Sequence, residues 1–148
     1  MAFDRAGPPG GLPLVLVHAG IADRRMWDDI WPALTARHDV VRVDLCGYGG
    51  SSVPPAVPWS QRAEVRSTLA ELGMGRAHLN GCSYGAGICA ELALEFSDLV
   101  ASQLLVAPGG SLLTERTDDF VRFLEAEHDA LDRGDIDAAV EAGVVHWV

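Results

Sequence analysis

The sequence predicts an α/β protein in which helices cover both faces of a parallel β-sheet. Three observations support this fold class. Short apolar runs alternate with segments of helical periodicity, the runs are rich in Val and Leu, and Gly or Pro marks most connections. Buried parallel strands have such continuous apolar sequences because both faces of their sheet are covered. Right-handed strand–helix–strand units then build one sheet.

Four strands are predicted with a fragment of a fifth at residues 1–5. The four cover Leu14–Val17, Asp39–Leu45, Ala77–Cys82 and Ser102–Ala107. Each is a short apolar stretch, and β-branched residues dominate the second of them. We therefore expect strands that are buried side by side in one sheet.

Helical spacing of apolar residues fills the segments between these strands. Helices are predicted over Met26–His38 and Gly85–Phe96, and a third begins after Ser60 as its N-cap and stops at Gly73. Pro32 lies inside the first of these and predicts a kink or an early break there.

After Gly110 the sequence changes to two amphipathic helices, and no further strand is predicted. Gly134 and Asp135 read as the stop of the first helix and the N-cap of the second. Ten Asp and Glu residues against three Arg lie between residues 115 and 148. A solvated helical face explains this charge run.

Composition excludes several classes of protein. The 148 residues are 49% hydrophobic and 22% charged, which is a globular rather than a disordered composition. The net charge of −10 repels phosphates, so neither nucleic acid nor an anionic membrane is expected as a partner. The apolar stretch Leu12–Val17 is too short for a signal peptide or a bilayer span. A cytoplasmic location is therefore expected.

The three cysteines lack the spacing of metal ligands. Cys46, Cys82 and Cys89 read as reduced structural thiols. No His, Cys and carboxylate cluster has ligand spacing either, so no metal and no cofactor is expected.

The pentapeptide Gly81-Cys82-Ser83-Tyr84-Gly85 is a G-x-S-x-G motif placed between a predicted strand and a predicted helix. This context is typical of a nucleophile elbow, a sharp turn that presents a serine hydroxyl above the sheet. Ser83 is the candidate nucleophile, and Gly81 and Gly85 must be small because the turn crowds them. The N–H of Tyr84 opens the helix, where a developing negative charge is stabilised.

A second hydrogen-bond donor to that charge is expected from the loop after an earlier strand. The segment His18-Ala19-Gly20 follows the first of the four strands, and Gly20 allows close approach of backbone to substrate. His18 has two possible roles, a general base or a brace that holds the loop by hydrogen bonds, and we favour the brace.

These motifs resemble the α/β-hydrolase superfamily over about residues 10–148. His18-Ala19-Gly20 is similar to the family's oxyanion loop, and the resemblance implies that the Gly20 N–H is the second oxyanion donor. Asp44–Ser51 is similar to a D-x-x-G-x-G-x-S segment in which the Asp structures the loop. The likeness is to the esterase, enol-lactonase and haloperoxidase-like branch.

The resemblance also implies a division of the chain. Residues 1–112 correspond to the N-terminal half of the hydrolase core, and residues 113–148 to an incomplete helical cap segment. The result is a partial α/β-hydrolase fold with the beginning of a cap.

The chain departs from the family in its catalytic triad, which runs Ser, acid, His in chain order. Only His128 and His146 follow Ser83. Asp118 or Asp119 with His146 satisfies the order, but all of them lie in helical sequence. The loop at residues 108–111 contains no carboxylate. We expect that the triad acid and base are absent from this chain.

The sequence therefore favours a serine hydrolase of carboxylic esters or lactones that acts through Ser83 and is inactive as this chain alone. Two alternatives stay open: a non-catalytic binding module on the same fold, and a half-enzyme completed by another chain. The expected partner is a small-molecule ester or lactone. The strand Gln103–Val106 is expected at an exposed sheet edge, which favours a homo-oligomer.

Overall fold

The computed structural model describes residues 1–53, 58–108 and 115–147. The chain divides into two units, Met1–Leu112 and Leu113–Val148. Part of the predicted loop after the fourth strand, residues 109–111, lies outside the described residues, as do Pro54 and Pro55 of the loop before the second helix.

One sheet organises the first unit, and within the described residues it has five strands. They are β1 (Phe3–Ala6), β2 (Leu14–Val17), β3 (Val40–Val43), β4 (Ala77–Cys82) and β5 (Val100–Val106). Their order across the sheet is β1-β3-β2-β4-β5. All neighbouring pairs are parallel except β1 and β3, which pair antiparallel. The predicted α/β class is confirmed, and the fragment at residues 1–5 becomes an antiparallel edge strand.

The segment at residues 26–38 does not form one continuous helix, and a break of the kind expected near Pro32 is present. The chain forms a 3-10 turn at Arg24–Trp27 and then a separate short helix, α1 (Trp31–Thr35). Pro32 lies in the first turn of α1, where a missing N–H removes no hydrogen bond within the helix. The break therefore precedes the proline rather than following it.

Two longer helices complete the first unit, α2 (Gln61–Glu71) and α3 (Tyr84–Glu95). The Ser60 hydroxyl accepts a hydrogen bond from the Ala63 N–H at 3.3 Å, so Ser60 is the predicted N-cap of α2. Gly73 follows α2 with a φ of 73°, a conformation that favours glycine at a helix end.

Alternate residues of each strand face opposite sides of the sheet, and each side has its own apolar cluster. On one side, Val15 and Val17 of β2 pack with residues of α2 and α3. On the other, Leu16 packs with Trp27 and with α1. The helices therefore cover both faces, as the apolar strand sequences predict.

The outer edge of the sheet at β5 has no partner strand among the described residues. Two apolar side chains of β5 remain exposed, Leu104 at 59% and Val106 at 43%. An uncharged edge strand of this kind can pair with another chain.

The second unit consists of the helices α4 (Asp118–Asp132) and α5 (Ile136–Trp147). Gly134, with a φ of 70°, and Asp135 separate them. The Asp135 carboxylate accepts a hydrogen bond from the Ala138 N–H at 3.1 Å, so Asp135 caps α5 as predicted. Across the part of the chain that the structure describes, every helix is too short or too polar to cross a membrane.

Candidate active site

Ser83 lies at a sharp turn between the last residue of β4 and the first residue of α3. Its backbone has a φ of 50° and a ψ of −116°, a conformation that L-residues rarely adopt. The Ser83 N–H donates to the Val106 carbonyl at 2.9 Å, and the Ser83 carbonyl accepts from the Ala86 N–H at 2.9 Å. These bonds hold a conformation that costs about 1–3 kcal/mol, which is typical of functional turns.

The two glycines of the motif lie where no side chain fits. A Cβ atom on Gly81 would lie 2.4 Å from the Gly85 carbonyl oxygen. A Cβ atom on Gly85 would lie 2.5 Å from the carbonyl oxygens of both Val17 and His18. Because real Cβ atoms do not approach backbone so closely, the turn requires glycine at both positions.

Tyr84 and Gly20, the two expected oxyanion donors, lie next to each other. A Cβ atom on Gly20 would be 3.3 Å from the Cβ of Tyr84. Tyr84 is the first residue of α3, so its N–H has no acceptor within the helix and lies at the positive end of the helix dipole. Burial raises the pKa of the Tyr84 phenol, although 47% of the residue is exposed.

The loop that carries Gly20 is held through Ala19. The Ala19 carbonyl accepts from the Ala22 N–H at 3.1 Å and from His18 Nδ1 at 2.7 Å. The Ala19 N–H donates to the Met26 sulfur at 3.3 Å. Both backbone groups of Ala19 are therefore engaged, which fixes the peptide that precedes the Gly20 N–H.

His18 is fully buried and both of its ring nitrogens are engaged. The Leu45 N–H donates to Nε2 at 2.9 Å, so Nδ1 carries the proton that is donated to the Ala19 carbonyl. The ring also contacts Tyr48, with 5.0 Å between ring centroids. His18 braces the loop and has no nitrogen available to act as a base.

Asp44 is fully buried and structures the neighbouring loop. Its carboxylate accepts hydrogen bonds from the N–H groups of Arg24 at 2.8 Å and Gly50 at 2.7 Å, and from the Arg24 guanidinium. The Ser51 hydroxyl donates to the Asp44 carbonyl at 2.6 Å. A Cβ on Gly49 would lie 2.3 Å from the carboxylate, so this loop needs its glycine. These contacts engage Asp44 in loop structure rather than in orienting a base.

Within the first unit, no imidazole of the residues that the structure describes is hydrogen-bonded to Ser83. His38 is exposed, and His78 Nδ1 lies 2.8 Å from the Ser102 hydroxyl. His128 lies in α4, and His146 of α5 stacks on the Phe123 ring at 4.6 Å.

The possible acids of the triad also lie on a helix. Asp118 and Asp119 form the first turn of α4. These two carboxylates and both later histidines therefore lie on helices, as their sequence pattern predicts.

All three cysteines are free. Burial raises the pKa of the Cys89 thiol to about 12, and burial also raises that of Cys46. Cys82 is half-buried and packs against the cluster around Leu16 on the second face of the sheet.

The roles of Met26 and Arg24 are not evident from the sequence. Met26 begins the predicted helix over residues 26–38, which does not form as one helix, and Arg24 precedes that segment. Gln61 was missed as well: its side chain binds both the N–H and the carbonyl of Cys46 at 3.0 Å. No local pattern predicts these contacts because each joins segments that are distant in sequence.

Comparison with known proteins agrees with the fold described above. A family model described as alpha/beta hydrolase fold matches residues 13–139. Over 101 residues the chain is 36% identical to a pimeloyl-[acyl-carrier protein] methyl ester esterase from Aeromonas hydrophila, which covers 66% of this chain and 38% of the esterase. Over 99 residues it is 36% identical to a fluoroacetate dehalogenase from Burkholderia, covering 62% of this chain and 33% of the dehalogenase.

A solved structure leads to the same family. A thermophilic esterase from Thermogutta terrifontis superposes with a TM-score of 0.73 at 26% identity, covering 87% of this chain and 47% of the esterase. The chain thus spans about half the length of that esterase and less than half of the curated relatives above. The family model matches most of the chain, and the observed sheet agrees with it. The chain therefore belongs to the alpha/beta hydrolase family.

Proposed function

We propose that the chain carries the nucleophile and the oxyanion donors of a serine hydrolase that acts on carboxylic esters or lactones. The observation that carries this proposal is the turn at Ser83, whose φ of 50° lifts the residue out of the strand at the start of α3. Backbone strain of this kind is typical of functional sites, and the G-x-S-x-G motif favours presentation of a nucleophile as the function here.

The proposed reaction begins with attack of the Ser83 hydroxyl on the carbonyl carbon. The carbonyl oxygen becomes an oxyanion and accepts hydrogen bonds from the N–H groups of Gly20 and Tyr84. The serine proton passes to a base, the alcohol leaves with a proton, and water then hydrolyses the acyl-enzyme. The proximity of Gly20 and Tyr84 supports this arrangement, because both donors must reach the same oxygen.

The base and the acid that orients it are proposed to come from a further polypeptide segment. His18 is excluded as the base by its two hydrogen bonds. The relatives are longer than this chain, and the β5 edge leaves room for additional strands. Without a base Ser83 is a weak nucleophile, so this chain alone is proposed to be inactive.

The test is hydrolysis of p-nitrophenyl acetate after mixing the chain with a polypeptide that contains the later half of a related esterase. The expected result is turnover in the mixture that Ser83→Ala abolishes, with none from either component. Hydrolysis that survives Ser83→Ala would contradict the assignment of the nucleophile.

A further inference from the structure

We propose that a groove beside Gly20 binds the uncharged acyl chain of the ester. This Gly20 groove has a volume of about 680 Å³ and is lined by residues 20–23, by Arg25 and Met26, and by residues 47–49. The inference rests on the proposed function, because Gly20 both lines the groove and is the proposed donor to the carbonyl oxygen. A chain attached to that carbonyl therefore has a place beside it. The volume is in the ordinary range for small-molecule sites.

The two walls of the groove are joined by a single carboxylate. Asp44 accepts hydrogen bonds from the Arg24 N–H on the side of the Gly20 segment and from the Gly50 N–H on the side of the Gly47 segment. Because Asp44 is fully buried, its hydrogen bonds are protected from water. The groove is therefore formed before a ligand arrives, as binding sites commonly are.

Apolar side chains are exposed on one wall. Ile21 is 78% exposed and Met26 is 39% exposed, and both line the groove. The Met26 sulfur is fixed by the hydrogen bond from the Ala19 N–H. Neighbouring exposed apolar residues in a concave surface favour an apolar ligand over water.

The charges of the groove compensate each other. Asp23 and Arg25 are its charged residues, and Arg25 Nε lies 2.9 and 3.0 Å from the two Asp23 carboxylate oxygens. Hydrogen bonds from the Arg25 side chain and N–H hold the pKa of Asp23 well below its usual range, so the pair stays ionised and neutral overall. This pairing disfavours a ligand that carries a charge on its chain.

The experiment is an NMR titration of the ¹⁵N-labelled chain with methyl hexanoate, methyl acetate and the hexanoate anion. We expect saturable shifts at residues 20–26 and 47–49 with methyl hexanoate, and affinity about tenfold lower for methyl acetate because four methylenes are lost in an open groove. Ile21→Asp should weaken methyl hexanoate binding by about fivefold, since a charge replaces apolar surface. Val53→Asp is the matched control, because Val53 is 80% exposed and lies outside the groove.

Four results would overturn the groove assignment: shifts confined to other residues, equal affinity for methyl acetate, equal affinity for the hexanoate anion, or unchanged binding by Ile21→Asp. The groove is thus tested without turnover, and failure of hydrolysis in the complementation assay is a separate outcome.

Discussion

His18 Nε2 accepts a hydrogen bond from the Leu45 N–H at 2.9 Å, and this contact joins the loop after β2 to the end of β3. The same ring holds the Ala19 carbonyl through Nδ1. The conformation of the loop that carries Gly20 therefore depends on an imidazole whose two ring nitrogens are both engaged in hydrogen bonds.

Replacing His18 by Leu should lower the free energy of unfolding. The substitution leaves the buried Leu45 N–H without an acceptor, which costs about 1–3 kcal/mol. Urea unfolding followed by circular dichroism measures the loss. His38→Leu at an exposed histidine serves as the control and should change stability by less than about 0.5 kcal/mol. Equal stability of both variants would mean that the brace is unimportant.

Gly85→Ala should destabilise the first unit by about 3 kcal/mol, because the new methyl group would overlap the Val17 and His18 carbonyls. Thermal unfolding measures the effect. Gly75→Ala is the matched control, since nothing lies within 4 Å of a Cβ at Gly75. A Gly85→Ala protein as stable as Gly75→Ala would refute the packing of the turn.

Asp39→Asn should reduce stability by about 1 kcal/mol at pH 7, a modest value because Arg5 is partly exposed. Asp39 accepts from Arg5 Nε at 2.9 Å and from the second guanidinium nitrogen at 2.7 Å, and these bonds lower the pKa of the Asp39 carboxyl below its ordinary value of 3.8. The stabilisation is fully present above that ordinary value and is lost as the pH falls through the lower native pKa.

Urea unfolding at pH 7 and near pH 3 checks this dependence. The difference in the free energy of unfolding between wild type and Asp39→Asn should be smaller at the lower pH. Glu71→Gln, at an exposed carboxylate, should leave stability within about 0.5 kcal/mol of wild type at both values. A gap that widens with acid would contradict the ion pair.

Leu104→Lys should weaken self-association of the chain by about tenfold, since a charge on an edge strand opposes pairing with a second copy. The uncharged β5 edge and its exposed Leu104 predict such association. Sedimentation equilibrium measures it. Leu94→Lys, at a residue that is 87% exposed on α3, should associate as the wild type does. A monomeric wild-type chain would exclude a homo-oligomer through this edge.

Local sequence pattern was sufficient to predict most of the fold. The stretch Ala77–Cys82 has the bounds of β4, and Ser60 and Gly73 flank α2 as expected. These elements are predictable because caps, glycine and apolar spacing are local signals. The prediction of one continuous helix over residues 26–38 failed. Trp27 and Trp31 have helical spacing and both face the sheet, but they belong to two separate turns.

The candidate site was predictable only in part. The motif around Ser83 specifies its own turn, so its geometry follows from five consecutive residues. Two of the hydrogen bonds that hold the Gly20 loop join residues 7 and 27 positions apart, Ala19 with Met26 and His18 with Leu45. Such contacts depend on the strand order, which the sequence pattern alone does not specify.

The central proposal is that Ser83 is a nucleophile whose base comes from a polypeptide segment other than this chain. Intact-mass spectrometry after incubation with a fluorophosphonate at pH 7 tests it most directly, with Ser83→Ala as the control. We expect no adduct that depends on Ser83, because loss of the base slows such a serine on the order of 10⁴-fold or more. Rapid labelling of the chain alone that Ser83→Ala abolishes would contradict the claim.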